Sequence, residues 1–227
     1  TDREIDAQVE RTRSRPIPSG QISAKAALVW MGLQALISFC ILLTFNTAAI
    51  RLGVLALIPV AVYPFAKRFT WWPQVFLGLA FNWGALMAWT AHTGRLEAPA
   101  VVLYLAGIAW TLFYDTIYAH QDIEDDALIG VKSTARLFAE KTPVWLRRFL
   151  ALTVGVMGIA VIFSALPDAS ALAMVFALAG PLAMGWHMVW QLRGLDINDP
   201  AKCMQLFRVN RDTGMIPLLF FAIALFV

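Results

Sequence analysis

Charge is scarce in this sequence. Asp, Glu, Lys and Arg make up 15% of its 227 residues, against 59% hydrophobic ones. A soluble domain of this size needs a larger charged surface than that. Cysteine is scarcer still: Cys40 sits in an apolar run and Cys203 in a charged stretch, which excludes a disulfide framework and reads as two unpaired thiols. Of the three histidines, His92 and His187 carry no signal, and His120, between Asp115 and Asp122, reads as a loop residue. No run alternates polar and apolar at every second residue, which excludes a membrane β-barrel. No short repeat and no low-complexity tract divides the chain, so residues 1–227 are read as one domain. The net charge of +3 is small, and no nucleic-acid partner is expected.

What the chain does have is long apolar runs. Seven can be marked, at about 24–43, 52–66, 72–91, 99–118, 149–165, 169–190 and 214–227. A helix needs roughly 20 apolar residues to cross about 30 Å of hydrocarbon. The second run reaches that length by starting near Thr44 and tolerating Arg51 through snorkelling. The expected fold class is therefore all-α, a polytopic membrane helix bundle with about seven transmembrane helices. If the runs alternate direction, their connections fall on two sides. Of the 18 Lys and Arg, only Arg51 and Arg95 fall on one side, and of the 15 acids only Glu97 and Asp168 do. The positive-inside bias assigns the charged side to the cytoplasm, which makes it the expected working surface of an integral membrane protein.

Two acidic clusters lie on that side. One is Asp2-Arg3-Glu4-Ile5-Asp6; the other is Asp122-Ile123-Glu124-Asp125-Asp126, with Asp115 before it. Each holds two aspartates four residues apart, which puts both carboxylates on one face of a helical turn. Like charges so placed repel, and a divalent cation reverses the sign. Mg²⁺ takes one or two carboxylates together with waters and substrate phosphate oxygens, so the two clusters can hold a diphosphate between them. Basic residues accompany the acids: Arg11, Arg13 and Arg15 after the first cluster, Lys132 and Arg136 after the second, and Lys67 and Arg68 at the end of Tyr63-Pro64-Phe65-Ala66-Lys67-Arg68. Lysine serves phosphate as a point charge and arginine as a fork, although the positive-inside bias explains most such residues with no site at all. Phe81, Trp83, Trp89, Trp110, Phe113 and Tyr114 offer either aromatic walls for an isoprenoid and its allylic cation or ordinary lipid-facing rings. Asn82, an amide in mid-span, is either helix–helix glue or a pocket residue.

The motifs resemble those of the UbiA family of membrane prenyltransferases. Asp2-x-x-x-Asp6 followed by Arg11-Thr12-x-x-Arg15-Pro16 is similar to the end of the first family signature, Tyr63-x-x-x-Lys67 to the family's Y-x-x-x-K element, and Asp122-x-x-x-Asp126 to its second aspartate motif. Tyr114–Ala119, Gly130–Ala135, Gly78–Trp83 and Phe207-Arg208-x-Asn210-Arg211 are similar to the hydroxybenzoate branch. The resemblance implies a nine-helix fold whose first two helices precede this sequence. It implies Mg²⁺-dependent transfer of a polyprenyl group from polyprenyl diphosphate to 4-hydroxybenzoate, ortho to its hydroxyl, in ubiquinone biosynthesis, within a bacterial inner membrane with the site facing the cytoplasm, or within the mitochondrial inner membrane. It assigns Asp2, Asp6, Asp122 and Asp126 to metal and diphosphate, Arg3 and Lys132 to diphosphate oxygens, Arg68 to the acceptor's carboxylate, and Arg15, Tyr63, Lys67 and Asn82 to substrate binding. Asp115 or Asp125 would assist loss of the ring proton.

Two other readings stay open. One is a UbiA-type enzyme with a naphthoate, homogentisate, haem or chlorophyllide acceptor. The other is a transporter, which would place ionisable groups or broken helices at mid-membrane; Asn82 and the intramembrane prolines are its support. A lipid phosphatidyltransferase is excluded by the absence of its D-G-x-x-A-R pattern.

Overall fold

A computed structural model describes residues 7, 13–128, 130–165 and 169–227, and among them there is no strand. From residue 24 on, eleven α-helices are seen among the described residues: α1 Ala24–Leu42, α2 Thr47–Leu55, α3 Leu57–Phe69, α4 Pro73–Phe81, α5 Trp83–Thr93, α6 Ala98–Ala119, α7 Ile123–Leu128, α8 Thr134–Phe138, α9 Thr142–Ala165, α10 Ala171–Arg193 and α11 Pro200–Ala224.

Local chemistry sets most boundaries. Ser23, Asn46, Ser170 and Asp199 cap α1, α2, α10 and α11 by accepting from backbone N–H groups three residues on, which satisfies donors a helix start leaves orphaned. Proline opens α4 and α11, where its missing N–H costs nothing. Gly94 ends α5 at φ 80°, a conformation glycine adopts without strain.

Among the described residues, five stretches are long and apolar enough to cross a membrane: Ala24–Leu42, Thr47–Phe69, Ala98–Leu128, Thr134–Ser164 and Ala171–Arg193. This is an integral membrane helix bundle, as the composition requires, but two of the seven expected runs take another form. The run at 72–91 is split at Asn82 into α4 and α5, of 9 and 11 residues. The last run becomes α11, 25 residues long, whose first half carries Lys202, Arg208, Arg211 and Asp212. Helical hydrogen bonding does not stop where apolarity stops, so both α9 and α11 start well before their apolar runs. The pair α2–α3 is nearly continuous. Its single break at Ala56 lies just before Pro59, which has no N–H for the Leu55 carbonyl.

The core lies where α6 packs on α9 and α11, and α10 packs on both α9 and α11. Phe113, Ile117, Leu146, Met184, Met188 and Leu206 are fully buried there. Connections gather at two ends. At one end Asn46 of the α1–α2 connection donates to the carbonyls of Thr90 and Ala91, and Ser170 donates to the carbonyl of Val227. The opposite end holds the α3–α4 connection and the segment 120–141, and the acidic cluster lies in it.

Candidate active site

The last turn of α3 presents Tyr63, Pro64 and Lys67 to a cavity of about 270 Å³. Pro73 and Gln74 at the start of α4 form a second wall, and Asp115, Tyr118 and Ala119 at the end of α6 a third. A 3₁₀ turn, His120–Asp122, joins α6 to α7. Asp122 and Asp126 close the cavity together with Val131, Lys132 and Ser133. The four-residue spacing thus does what it predicts, and both carboxylates reach one space.

Backbone bonding fixes this closing segment. Gly130 turns the chain at φ 74°, after which Val131 N–H donates to the Asp126 carbonyl at 2.9 Å and Lys132 N–H to the Lys67 carbonyl at 3.1 Å. The second bond ties the segment to α3. Lys132 Nζ reaches the Phe69 carbonyl at 3.3 Å, and it lies 6.0 Å from the Trp71 ring, with the Arg136 guanidinium 5.4 Å from the same ring. Arg136 Nη1 donates to the carbonyls of Asp126 and Val131. Arg136 is therefore a clamp on the loop, and its charge also offsets Asp126.

Gln74 is the central orienting group. It is buried, its Oε1 accepts from Thr134 N–H at 3.3 Å, and its amide hydrogen-bonds the Asp115 carboxylate. With Oε1 committed, the NH₂ group is the donor to Asp115. Thr116 and Thr134 meet hydroxyl to hydroxyl at 2.7 Å and pin α8 to α6. His120 is buried against Thr142 at 3.0 Å, so it packs the turn and does not face the cavity.

Asp126 lies in α7 with Asp122 beside it as a like charge, and Lys67 and Arg136 stand near as opposite charges. A cation between the two carboxylates relieves their repulsion.

The structure brings Tyr63, Lys67, Asp115, Asp122, Asp126 and Lys132 together. Asp125 is half-buried in α7 but does not line the cavity. Arg68 packs over the Phe65 ring at 5.6 Å and is not part of the lining, and neither is the exposed Arg15. Asn82 lies elsewhere. Its Nδ2 donates to the Gly78 carbonyl at 2.9 Å and to Thr111 Oγ1 at 2.8 Å, so it joins α4 to α6 and acts as glue. It also borders a separate mid-bundle cavity. Asp2, Arg3 and Asp6 lie outside the described residues, and among the described residues no group of three or more His, Cys, Asp or Glu gathers as a metal site.

Gln74 and Tyr118 had no site role in the sequence, although Tyr118 falls within the Tyr114–Ala119 motif. Each carried a signal: Gln74 is a polar residue next to the proline that opens an apolar run, and Tyr118 stands four residues before Asp122.

The aromatics divide. Trp83 donates to the Leu52 carbonyl, Trp89 to Glu97, and Phe113 is wholly buried, so these three serve packing. Trp110, Tyr114 and Tyr118 instead form a stripe along α6. Trp110 meets Tyr114 edge-on at 5.5 Å, and Phe207 of α11 lies 5.9 Å from Tyr114 and 4.5 Å from Tyr118.

Comparison with known proteins gives this arrangement its context. The mitochondrial 4-hydroxybenzoate polyprenyltransferase of Bos taurus is 46% identical over 219 residues, 95% of this chain and 56% of its own length. The proteins of that name from Dictyostelium discoideum and Homo sapiens are 44% and 42% identical over 96% of this chain, and 46% and 57% of their own lengths. The chain thus spans about half the length of the curated relatives it matches. The solved apo structure of a UbiA homolog from Aeropyrum pernix K1 superposes with a TM-score of 0.75 at 22% identity, covering 99% of this chain and 81% of that one, which supports the fold. The UbiA prenyltransferase family profile matches residues 1–226, and this chain belongs to that family.

Proposed function

We propose that the chain carries the catalytic membrane bundle of a 4-hydroxybenzoate polyprenyltransferase, which moves a polyprenyl group from polyprenyl diphosphate to the acceptor ring, ortho to the hydroxyl, in ubiquinone biosynthesis. The observation that carries this reading is one cavity, at the end of an apolar bundle, where Asp122 and Asp126 share a lining with Lys67 and Lys132. Relatives that bear this activity in their names support the choice of acceptor.

The donor set suits Mg²⁺. Asp122 and Asp126 offer hard oxygens without sulfur or imidazole, and a site that uses one or two carboxylates plus phosphate oxygens needs no third protein ligand. Bound there, the ion supplies charge stabilisation to the departing diphosphate. The ammonium groups of Lys67 and Lys132 add to that stabilisation from fixed positions. The allylic C–O bond breaks with its electron pair on the diphosphate, the ring carbon forms the new C–C bond, and the ring proton leaves. Asp115, held by Gln74, is the proposed acceptor of that proton. Arg68 has no part in this reading, because it does not line the cavity. The charged end carries nearly all Lys and Arg, which supports a site on the cytoplasmic face of a bacterial inner membrane or in the mitochondrial inner membrane.

The test uses the complete protein in lipid, supplied with 4-hydroxybenzoate and a polyprenyl diphosphate, with Mg²⁺ or with EDTA. Mass spectrometry should find the prenylated acid with Mg²⁺ only. Product that persists in EDTA would remove the metal. Product only with a naphthoate or homogentisate acceptor would change the substrate and keep the reaction class.

A further inference from the structure

A second cavity, of about 250 Å³, lies farther along α6, bordered by the exposed Phe81 and Gly84 and by Leu103, Gly107, Trp110 and Met157 among others. Its walls are almost wholly apolar. The aromatic stripe on α6 runs from Tyr118, which lines the aspartate cavity, through Tyr114 to Trp110, which lines this one. Trp110 stands eight residues before Tyr118, about 12 Å along the helix axis. Only a chain of several isoprene units spans that distance.

Trp110 is held with unusual completeness for a side chain facing a cavity. Its Nε1–H donates to Asn210 Oδ1 at 3.1 Å. Asn210 is buried, and its own Nδ2 donates to Gln191 Oε1 at 3.0 Å and to the Leu206 carbonyl at 2.9 Å. Gln191 in turn donates to Thr213 at 2.8 Å. One turn past Asn210 on α11, Gly214 leaves the space the indole occupies: a β-carbon there would lie 2.6 Å from the Trp110 ring. Asn210 and Gly214 thus form a socket that admits one placement of the indole. Packing alone would bury a tryptophan without this two-point fixation. A buried amide whose every group is satisfied specifies orientation.

We propose that Trp110 determines which prenyl chain length the enzyme uses, by forming a fixed wall of the cavity that receives the distal isoprene units, and that Asn210 and Gly214 hold that wall in place. The proposal rests on the prenyl-transfer reading above. The ligand class is the polyprenyl diphosphates, recognised at this depth by apolar and aromatic contact alone. Discrimination in such a pocket is graded, since a methylene is worth about tenfold or somewhat more.

The test measures kcat/KM for geranyl, farnesyl and geranylgeranyl diphosphates with the complete protein in lipid, and takes the ratio of longest to shortest. Trp110→Ala widens the cavity and should raise the ratio about tenfold or more. Gly84→Leu should lower it by a similar factor. Gly84 lines the cavity and a β-carbon there meets nothing within 4 Å, so this variant adds bulk at the cavity without a clash at the β-carbon, and it decides the matter where Trp110→Ala does not fold. Gly214→Ala, which displaces the indole, should change the ratio as well. A ratio that stays at the wild-type value in Gly84→Leu, or that moves the same way in Gly84→Leu and Trp110→Ala, overturns the proposal and leaves prenyl transfer standing. A wild-type protein that uses neither these three nor a longer polyprenyl diphosphate with any aromatic acceptor overturns the prenyl-transfer reading itself.

Discussion

Helices α1 and α6 are both long, apolar and able to cross a bilayer, and they have opposite fates. None of the 19 residues of α1 is buried against the described part of the chain, whereas ten of the 22 residues of α6 are. Hydrophobicity does not separate them, because in lipid an apolar side chain gains little by moving from acyl chains to protein. What α6 has is small residues and hydroxyls. Ala106, Ala109, Thr111 and Thr116 let neighbours approach or bond to it, which is how helices associate where the hydrophobic drive is absent. α6 also ends in the aspartate cavity, so its packing positions Asp115 and Tyr118 there.

The sharpest way to break that contrast is at the polar end. Asp122→Ala and Asp126→Ala should each lower turnover about a hundredfold or more and leave the melting temperature in detergent unchanged, because both groups serve the cavity and not the core. Retained turnover in both would sink the two-carboxylate site. Next in size is Gln74→Leu. It leaves Thr134 N–H without its acceptor and Asp115 without its donor, at about 1–3 kcal/mol for a buried orphan. Melting temperature and kcat should fall together, and a fall in stability alone would make Gln74 merely structural. Gln191→Leu, remote from the cavity, should cost a similar 1–3 kcal/mol, roughly, by unpairing Asn210 and Thr213. It should leave KM for 4-hydroxybenzoate unchanged. The smallest effect belongs to α1, where Val29→Ala or Leu36→Ala should change stability by less than about 0.5 kcal/mol. A larger loss there would show that α1 is covered by another part of the protein or by a second copy.

Much of this was legible in the sequence, and the rest was not for definite reasons. Apolar run length exposed α1, α6 and α10 nearly to the residue. It misplaced the starts of α9 and α11, because Arg147, Arg148, Arg208 and Arg211 interrupt hydropathy but not the helix. Asp122 and Asp126 were paired by spacing, since four residues is one helical turn whatever the surroundings, and Tyr63 with Lys67 by its likeness to the family's Y-x-x-x-K element. Gln74 escaped because its partners are Asp115 and Thr134, far away in the chain. Arg68 was placed in the site by its neighbourhood in sequence, yet one residue past Lys67 is about 100° around the helix, and the cavity faces Lys67. Asn82 had two open readings. The structure gives it the role of glue, with a cavity at its margin.

Asn82 and Gly107 also carry a consequence for how this sequence can change over time. A β-carbon at position 107 would collide with the Asn82 side chain, and that side chain has no room to retreat, because both hydrogens of its amide are engaged by Gly78 and Thr111. Neither position can drift alone: alanine at 107 first demands a smaller residue at 82, and that residue abandons the bond between α4 and α6. The two sites should therefore be inherited as a pair, 25 residues apart in the chain yet behaving as a single locus.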